Sequence, residues 1–249
     1  MKVQGNIQRA LNGFLSSSIS DVDLYLSKNI PNFLVILAIW SRFMKNNRDR
    51  RIMKIFWFDV ETTGLDARKN DIVQLAYQLE IDGEIVKSSD LKFRPINVNA
   101  IEEKALEVNG LTVDEIMQYP DAKEQYCNLV NELSQYIDKY DRNDKAYPAG
   151  YNVNFDYNFL MAFPYKVGDK YGFGSFLNHA LIDPLPIINN LLAFNAISPA
   201  ENRKLETMCS IFGIDINAHD AASDINATRE LYYKLMCRFS FDGQDYWKR

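Results

Sequence analysis

The segment Lys54-Ile55-Phe56-Trp57-Phe58-Asp59-Val60-Glu61-Thr62-Thr63-Gly64 constrains this chain more than any other. Residues 54–60, rich in aromatic and β-branched side chains, read as a buried strand. Side chains alternate along a strand, so Asp59 and Glu61 leave its end by the same face. Two like charges placed that way call for a cation. Taken alone the triplet is ordinary: acidic residues fill 33 of 249 positions, and a solvated strand end accounts for it. Thr62-Thr63-Gly64-Leu65 changes its meaning, because a sharp turn at Gly64 brings backbone amide donors beside the carboxylates, as a phosphate or ribose requires.

The rest of the pattern surrounds that strand with an α/β domain. Residues 71–82 and 85–94 read as two further strands about Asp82-Gly83, a hairpin signal, which suggests an antiparallel meander. In 122–139 the residues Tyr126, Leu129, Val130, Leu133, Tyr136 and Ile137 recur at three and four, an amphipathic helix. Residues 146–151 are a short strand, and 155–162, 184–194, 204–212 and 222–237 are helices. Strands first, then alternating helices and strands without a long repeat, make one α/β domain.

Charge divides the chain. Residues 1–52 carry eight Lys/Arg against three Asp/Glu, leaving 20 against 30 in residues 53–249. The boundary falls where Met53 precedes the first readable strand. We therefore expect an N-terminal extension over 1–52, either a true packed helical appendage or an upstream piece dispensable to the domain, and a functional domain over 53–249. The overall charge of −5 excludes a protein that coats nucleic acid with its whole surface, though not one with a local site. The longest apolar run, Phe33 to Trp40, falls well short of the roughly 20 residues that cross a bilayer, so no membrane contact is expected. Cys127, Cys209 and Cys237 form no metal or disulfide pattern, which fits a reducing cytoplasm.

Two later segments add carboxylates at helix starts. In Tyr151-Asn152-Val153-Asn154-Phe155-Asp156, Asn154 reads as an N-cap and Asp156 falls in the first turn, a place that favours its ionised form and that ordinary capping also explains. In His219-Asp220-Ala221-Ala222-Ser223-Asp224, a helix beginning near Ala221 leaves His219 in the preceding loop and Asp224 in the first turn. The other histidine, His179, reads as half-buried among apolar neighbours. Asp59, Glu61, Asp156 and Asp224 together form an oxygen-only donor set of the kind that magnesium or manganese selects, and zinc would want more His and Cys.

Phe58-Asp59-Val60-Glu61-Thr62-Thr63-Gly64-Leu65, Asn152-Val153-Asn154-Phe155-Asp156, and His219 with Asp224 resemble, in that order, the three motifs of the DnaQ-like, DEDDh-type 3′→5′ exonucleases, which include polymerase proofreading subunits and ribonuclease T. Val108-Asn109-Gly110, Ile182-Asp183-Pro184 and Leu205-Glu206-Thr207-Met208 are weaker matches. The resemblance covers about 54–235 and implies a ribonuclease H-like α/β fold, a five-stranded mixed sheet flanked by helices. It implies two divalent ions, Mg2+ or Mn2+, about 4 Å apart, held by Asp59, Glu61, Asp156 and Asp224, with His219 as general base. By the same resemblance Thr62, Thr63, Gly64, Leu65, Asn152 and Phe155 bind the substrate, the 3′ end of single-stranded nucleic acid, with DNA favoured over RNA. Family members often carry His where this chain has Tyr151 and Asn109. Association with a DNA polymerase is a further implication, against which the tail Asp242 to Arg249 shows no clamp-binding peptide of the Gln-x-Leu type. Tyr165, Lys166, Lys170, Tyr171 and Phe173 interleave aromatic and basic side chains, as a single-strand stacking surface or an ordinary aromatic loop would.

A chain starting at Met53 is expected to fold and to keep its activity. Circular dichroism and turnover of that shortened protein check this, and an insoluble or unfolded product would make the extension part of the core.

Overall fold

The computed structural model describes residues 52–217 and 221–242. Expectations about the preceding extension, about His219 and about the tail therefore lie outside the described residues. Three strands open the fold, β1 Lys54–Thr62, β2 Ile72–Ile81 and β3 Glu84–Lys92. Ile81 pairs with Glu84 across Asp82 (φ 51°) and Gly83 (φ 90°), so the hairpin turn has two consecutive left-handed residues, the geometry that matches strand twist. β4, Tyr147–Ala149, pairs in parallel with β1, giving a mixed sheet in the order β3-β2-β1-β4.

Among the described residues the sheet has four strands where five were expected. The fifth position is filled by two parallel bridges, Ala146 with Leu177 and Ala149 with Ile182. The Ile182 N–H donates to Pro148 O at 2.9 Å and its carbonyl accepts from Gly150 at 3.1 Å. Pairing ends there because Pro148 has no N–H to offer and Asp183-Pro184 immediately starts a helix.

Helices cover both sheet faces, which is why β1 could be apolar throughout. Phe56, Phe58 and Val60 face a core shared with α3 (Ala122–Leu133) and α4 (Asn154–Lys166). Ile55 and Trp57 face the long α7 (Ala221–Asp242) through Ile225, Tyr232 and Tyr233. A third cluster joins α7 to α5 (Pro184–Ala193) and α6 (Leu205–Ile211) through Ala227, Leu231 and Leu235. Two short helices, α1 Glu103–Asn109 and α2 Val113–Ile116, carry too little periodicity to be seen in sequence. The helix expected over 122–139 ends at Leu133, where the Ser134 hydroxyl donates to Val130 O, yet Ile137 stays buried. Apolar spacing thus outlasted the helix. α4 extends past its expected end through buried Pro164. His179, expected half-buried, is exposed in a turn where Asn178 Oδ1 accepts from the Ala180 N–H. Among the described residues no helix is long and apolar enough to cross a membrane.

Phe163 stands edge-on to Phe93 (4.9 Å between centroids) and to Tyr126 (5.8 Å), fully buried between α4 and the sheet. Phe163→Ala is expected to cost about 3–5 kcal/mol in a urea titration. A loss below ~1 kcal/mol would show that the site collapses around the change.

Candidate active site

Asp59 and Glu61 lie at the end of β1 on the face that also carries Trp57, as alternation requires. Between Glu61 and Thr62 the pairing with β2 shifts by one residue, an irregularity that bends the strand end where the carboxylates sit. Asp156 sits in the first turn of α4, nearly buried, and its Oδ1 accepts the Val60 N–H at 3.2 Å. That bond ties the start of α4 to the residue between Asp59 and Glu61. Asp224 lies in the first turn of α7.

Electrostatics shows that these groups share one field. The Asp59 carboxyl is raised well above the ordinary range by burial first, then by Asp156, Glu61 and Asp224. Asp156 is pushed up to about 7, chiefly by burial, with Glu61 and Asp183 adding to it and backbone N–H groups opposing. Among the described residues no three His, Cys, Asp or Glu side chains already sit in ligating positions. The carboxylates repel one another without having closed on a common point. An oxygen-only set under mutual repulsion, with Asp59 and Asp224 opening onto the same cavity of about 170 Å³, fits a hard divalent cation. Tyr151, Leu205 and Thr228 are among the other residues that line that cavity. A larger hollow, about 630 Å³ among Asn195 to Pro199, Ile211 and Phe212, holds none of the four carboxylates and has no part in this chemistry.

The turn after β1 is fixed from outside. The Thr63 N–H donates to Asp71 O and its hydroxyl accepts from the Asp71 N–H, both at 2.9 Å. Thr63 is wholly buried, so it braces the turn and its own amide is already engaged. The Thr62 hydroxyl donates to Gly64 O at 2.7 Å, and Asn109 Nδ2 donates to Thr62 O at 3.0 Å. Gly64 is needed for space rather than for an unusual backbone angle: a Cβ there would lie 2.2 Å from Asn70 Nδ2 and 2.5 Å from Glu102 Oε1. Asp71 in turn accepts from the Ile96 and Asn97 N–H groups and pairs with Lys166 at 2.9 Å. Leu65 projects into solvent, 78% exposed.

Asn154 does not cap α4; it is the first helical residue, after Val153. No side chain caps α4; Asp183 instead holds the turn before it, its two oxygens accepting from Asn152 and Val153 at 3.1 Å each while also capping α5 through Leu185. Asn152 is held at φ 55° by that arrangement. Phe155 is half-buried, its ring 4.9 Å from Phe159. The aromatic and basic segment does not form one surface: Phe173 is buried against Tyr126 and Lys166 is committed to Asp71, leaving Tyr165, Lys170 and Tyr171 exposed. Asp183 could be suspected from its place before Pro184, a helix-start signal. Nothing local marked Asn70, Asp71 or Glu102.

Both raised carboxyls penalise the folded state. The folded chain keeps these protons where the unfolded chain has lost them, so the penalty is absent below about pH 4. It is complete above the folded-state value, about 7 for Asp156. In chelator, lowering the pH from 8 to 5.5 should therefore raise the melting temperature of the wild type relative to that of an Asp59→Asn, Asp156→Asn double variant. An identical pH response of the two proteins would contradict the shared field.

The profile of the Exonuclease (RNase_T) family matches residues 56–232. The chain is 29% identical over 182 residues to the DNA polymerase III PolC-type protein of Halalkalibacterium halodurans, covering 72% of this chain and 11% of that protein. It is 27% identical over 184 residues to the DNA polymerase III subunit epsilon of Treponema pallidum, covering 72% of this chain and 74% of that one. The chain thus spans about a ninth of the PolC-type relative's length. In three dimensions it is similar to E. coli exonuclease I in a zinc-bound complex with single-stranded DNA, at a TM-score of 0.61 and 20% identity, covering 76% of this chain and 41% of that one. The same enzyme bound to a dT13 oligonucleotide gives a TM-score of 0.61 at 19% identity, covering 76% and 42%. With the family profile running from β1 into α7 and a ribonuclease H-like fold beneath it, the chain belongs to the DnaQ-like exonuclease family.

Proposed function

We propose that this protein is a metal-dependent 3′→5′ exonuclease that releases nucleoside monophosphates from single-stranded nucleic acid, with DNA preferred to RNA. The observation that carries the reading is the Asp59 carboxyl, raised by burial and by carboxylates from β1, α4 and α7 at once. A structural carboxylate would have been given a basic partner; this one is surrounded by acids. The DNA preference is supported by relatives named as DNA polymerase III and by the single-stranded DNA complexes of a structural neighbour. Association with a polymerase belongs to the same reading.

Asp59, Glu61, Asp156 and Asp224 would hold two divalent ions, which supply positive charge to the attacking water and the leaving oxygen of the phosphodiester. Glu61 and the backbone of the turn at Thr62, Gly64 and Leu65, braced by Thr63, receive the 3′-terminal ribose. Leu65, projecting from that braced turn, and Phe155, backed by Phe159, pack against the terminal bases. Asn152 faces the substrate from the turn that Asp183 holds. His219 accepts the proton of the attacking water, a role open to imidazole, whose unperturbed pKa is roughly 6.5.

The direct test is 5′-labelled single-stranded DNA and RNA of equal sequence, incubated with magnesium and with chelator. A ladder shortening from the 3′ end, faster on DNA and stopped by chelator, is expected. Faster loss of RNA would make it an RNA exonuclease, and binding of either strand without cutting would make it a non-catalytic module. Asp59→Ala and Asp224→Ala should abolish cutting. His219→Ala should lower the rate by about 10²-fold or more while metal binding persists, and lost metal affinity with an intact rate at saturating metal would contradict the role given to it.

A further inference from the structure

Outside the site, one carboxylate among the described residues is wholly buried. Glu80, on β2, has no exposed surface, and its oxygens accept from Trp57 Nε1 at 2.9 Å, Arg229 Nε at 2.7 Å and the Tyr233 hydroxyl. Arg229 Nη2 continues to Gly83 O at 3.0 Å. Two residues back on the same face of β2, Gln78 Nε2 donates to Asn226 Oδ1 at 2.9 Å. Asn226, Arg229 and Tyr233 follow one another at helical spacing, so a single stripe of α7 is bonded to a single face of β2.

The partners of Glu80 stand on the two elements that carry Asp59 and Asp224. Trp57 is two residues before Asp59, about 7 Å along the strand. Arg229 is five residues beyond Asp224, about 7.5 Å along the helix. The apolar contacts between these elements, Ile55 and Trp57 with Ile225, are non-directional and tolerate sliding or rolling of the helix. Three hydrogen bonds to one carboxylate do not. A buried ion pair adds little net stability compared with an apolar replacement, whereas its geometry is specific. We propose that Glu80 is a positioning residue: it sets the distance and rotation of α7 against β1 so that Asp224 and Asp59 open onto one cavity, where they would hold a divalent ion. This rests on the reading of the site as a divalent-metal centre.

The test measures Mn2+ binding to the full chain by titration calorimetry, and the Mn2+ dependence of cutting, in four proteins. Glu80→Gln removes the charge while keeping the shape. Tyr233→Phe removes one bond and serves where Glu80→Gln folds poorly. Asp144→Asn is the control, because it breaks the ion pair to nearly buried Lys54 at the opposite end of β1. Glu80→Gln is expected to weaken Mn2+ binding at least tenfold and Tyr233→Phe two- to fivefold, with cutting largely restored at saturating Mn2+. Asp144→Asn should lower the melting temperature without moving either metal constant. Unchanged Mn2+ affinity in both Glu80→Gln and Tyr233→Phe, or an equal shift in Asp144→Asn, would overturn the inference alone. A wild-type chain that binds no Mn2+ would overturn the metal-centre reading and this inference with it.

Discussion

Holding like charges together in a poorly solvated place is the constraint on which the rest of the molecule depends. Asp59 is pushed well above the ordinary carboxyl range by burial and by three other acids, and no compact chain adopts such an arrangement for its own stability. The scaffold must therefore be rigid where it carries these groups. β1 is covered on both faces, by the aromatic core toward α3 and α4 and by α7 on the other side, so the strand bearing two of the acids cannot shift without opening two cores. Asp156 is drawn to β1 by the Val60 N–H, which favours its ionised form and opposes part of the burial penalty.

Around that strand the polar groups that look incidental are braces. Asp71 is buried, yet it gathers two backbone N–H groups and the Lys166 ammonium, and its own backbone clasps Thr63 from both sides. Asp183 gathers three N–H groups and so connects the starts of α4 and α5 in one bond set. Each brace ends one or two residues from a proposed substrate or metal contact. Positional precision of this kind separates a site that reacts from one that merely contains the right side chains.

Much of this was legible because it is local. The strand, the Asp82-Gly83 hairpin, the carboxylates at element ends and the small residues opening α7 follow from periodicity and turn chemistry over a few residues. What was illegible is what depends on contacts between distant segments. The expected fifth strand shrank to two bridges because Pro148 and Pro184 deny it length. Asn154 resembled a cap, but it is the first helical residue, and the turn before it is held by Asp183, some thirty residues away. Gly64 suggested a sharp turn, yet the requirement is room for Asn70 and Glu102. The aromatic and basic run 165–173 left a stacking surface and an ordinary packed loop both open in sequence, and the fold took Phe173 and Lys166 for itself.

The central claim is that the four carboxylates are a divalent-cation site in which burial and neighbouring acids raise Asp156 to about 7 and hold Asp59 well above the ordinary carboxyl range. Calorimetric titration of Mn2+ into the full chain at pH 7, in two buffers of different ionisation enthalpy, measures binding and proton release together. The account predicts saturable binding that expels protons, because groups raised as Asp59 and Asp156 are must ionise to become ligands, and binding that Asp59→Asn greatly weakens. Absence of Mn2+ binding, or binding of undiminished affinity in Asp59→Asn, would contradict it.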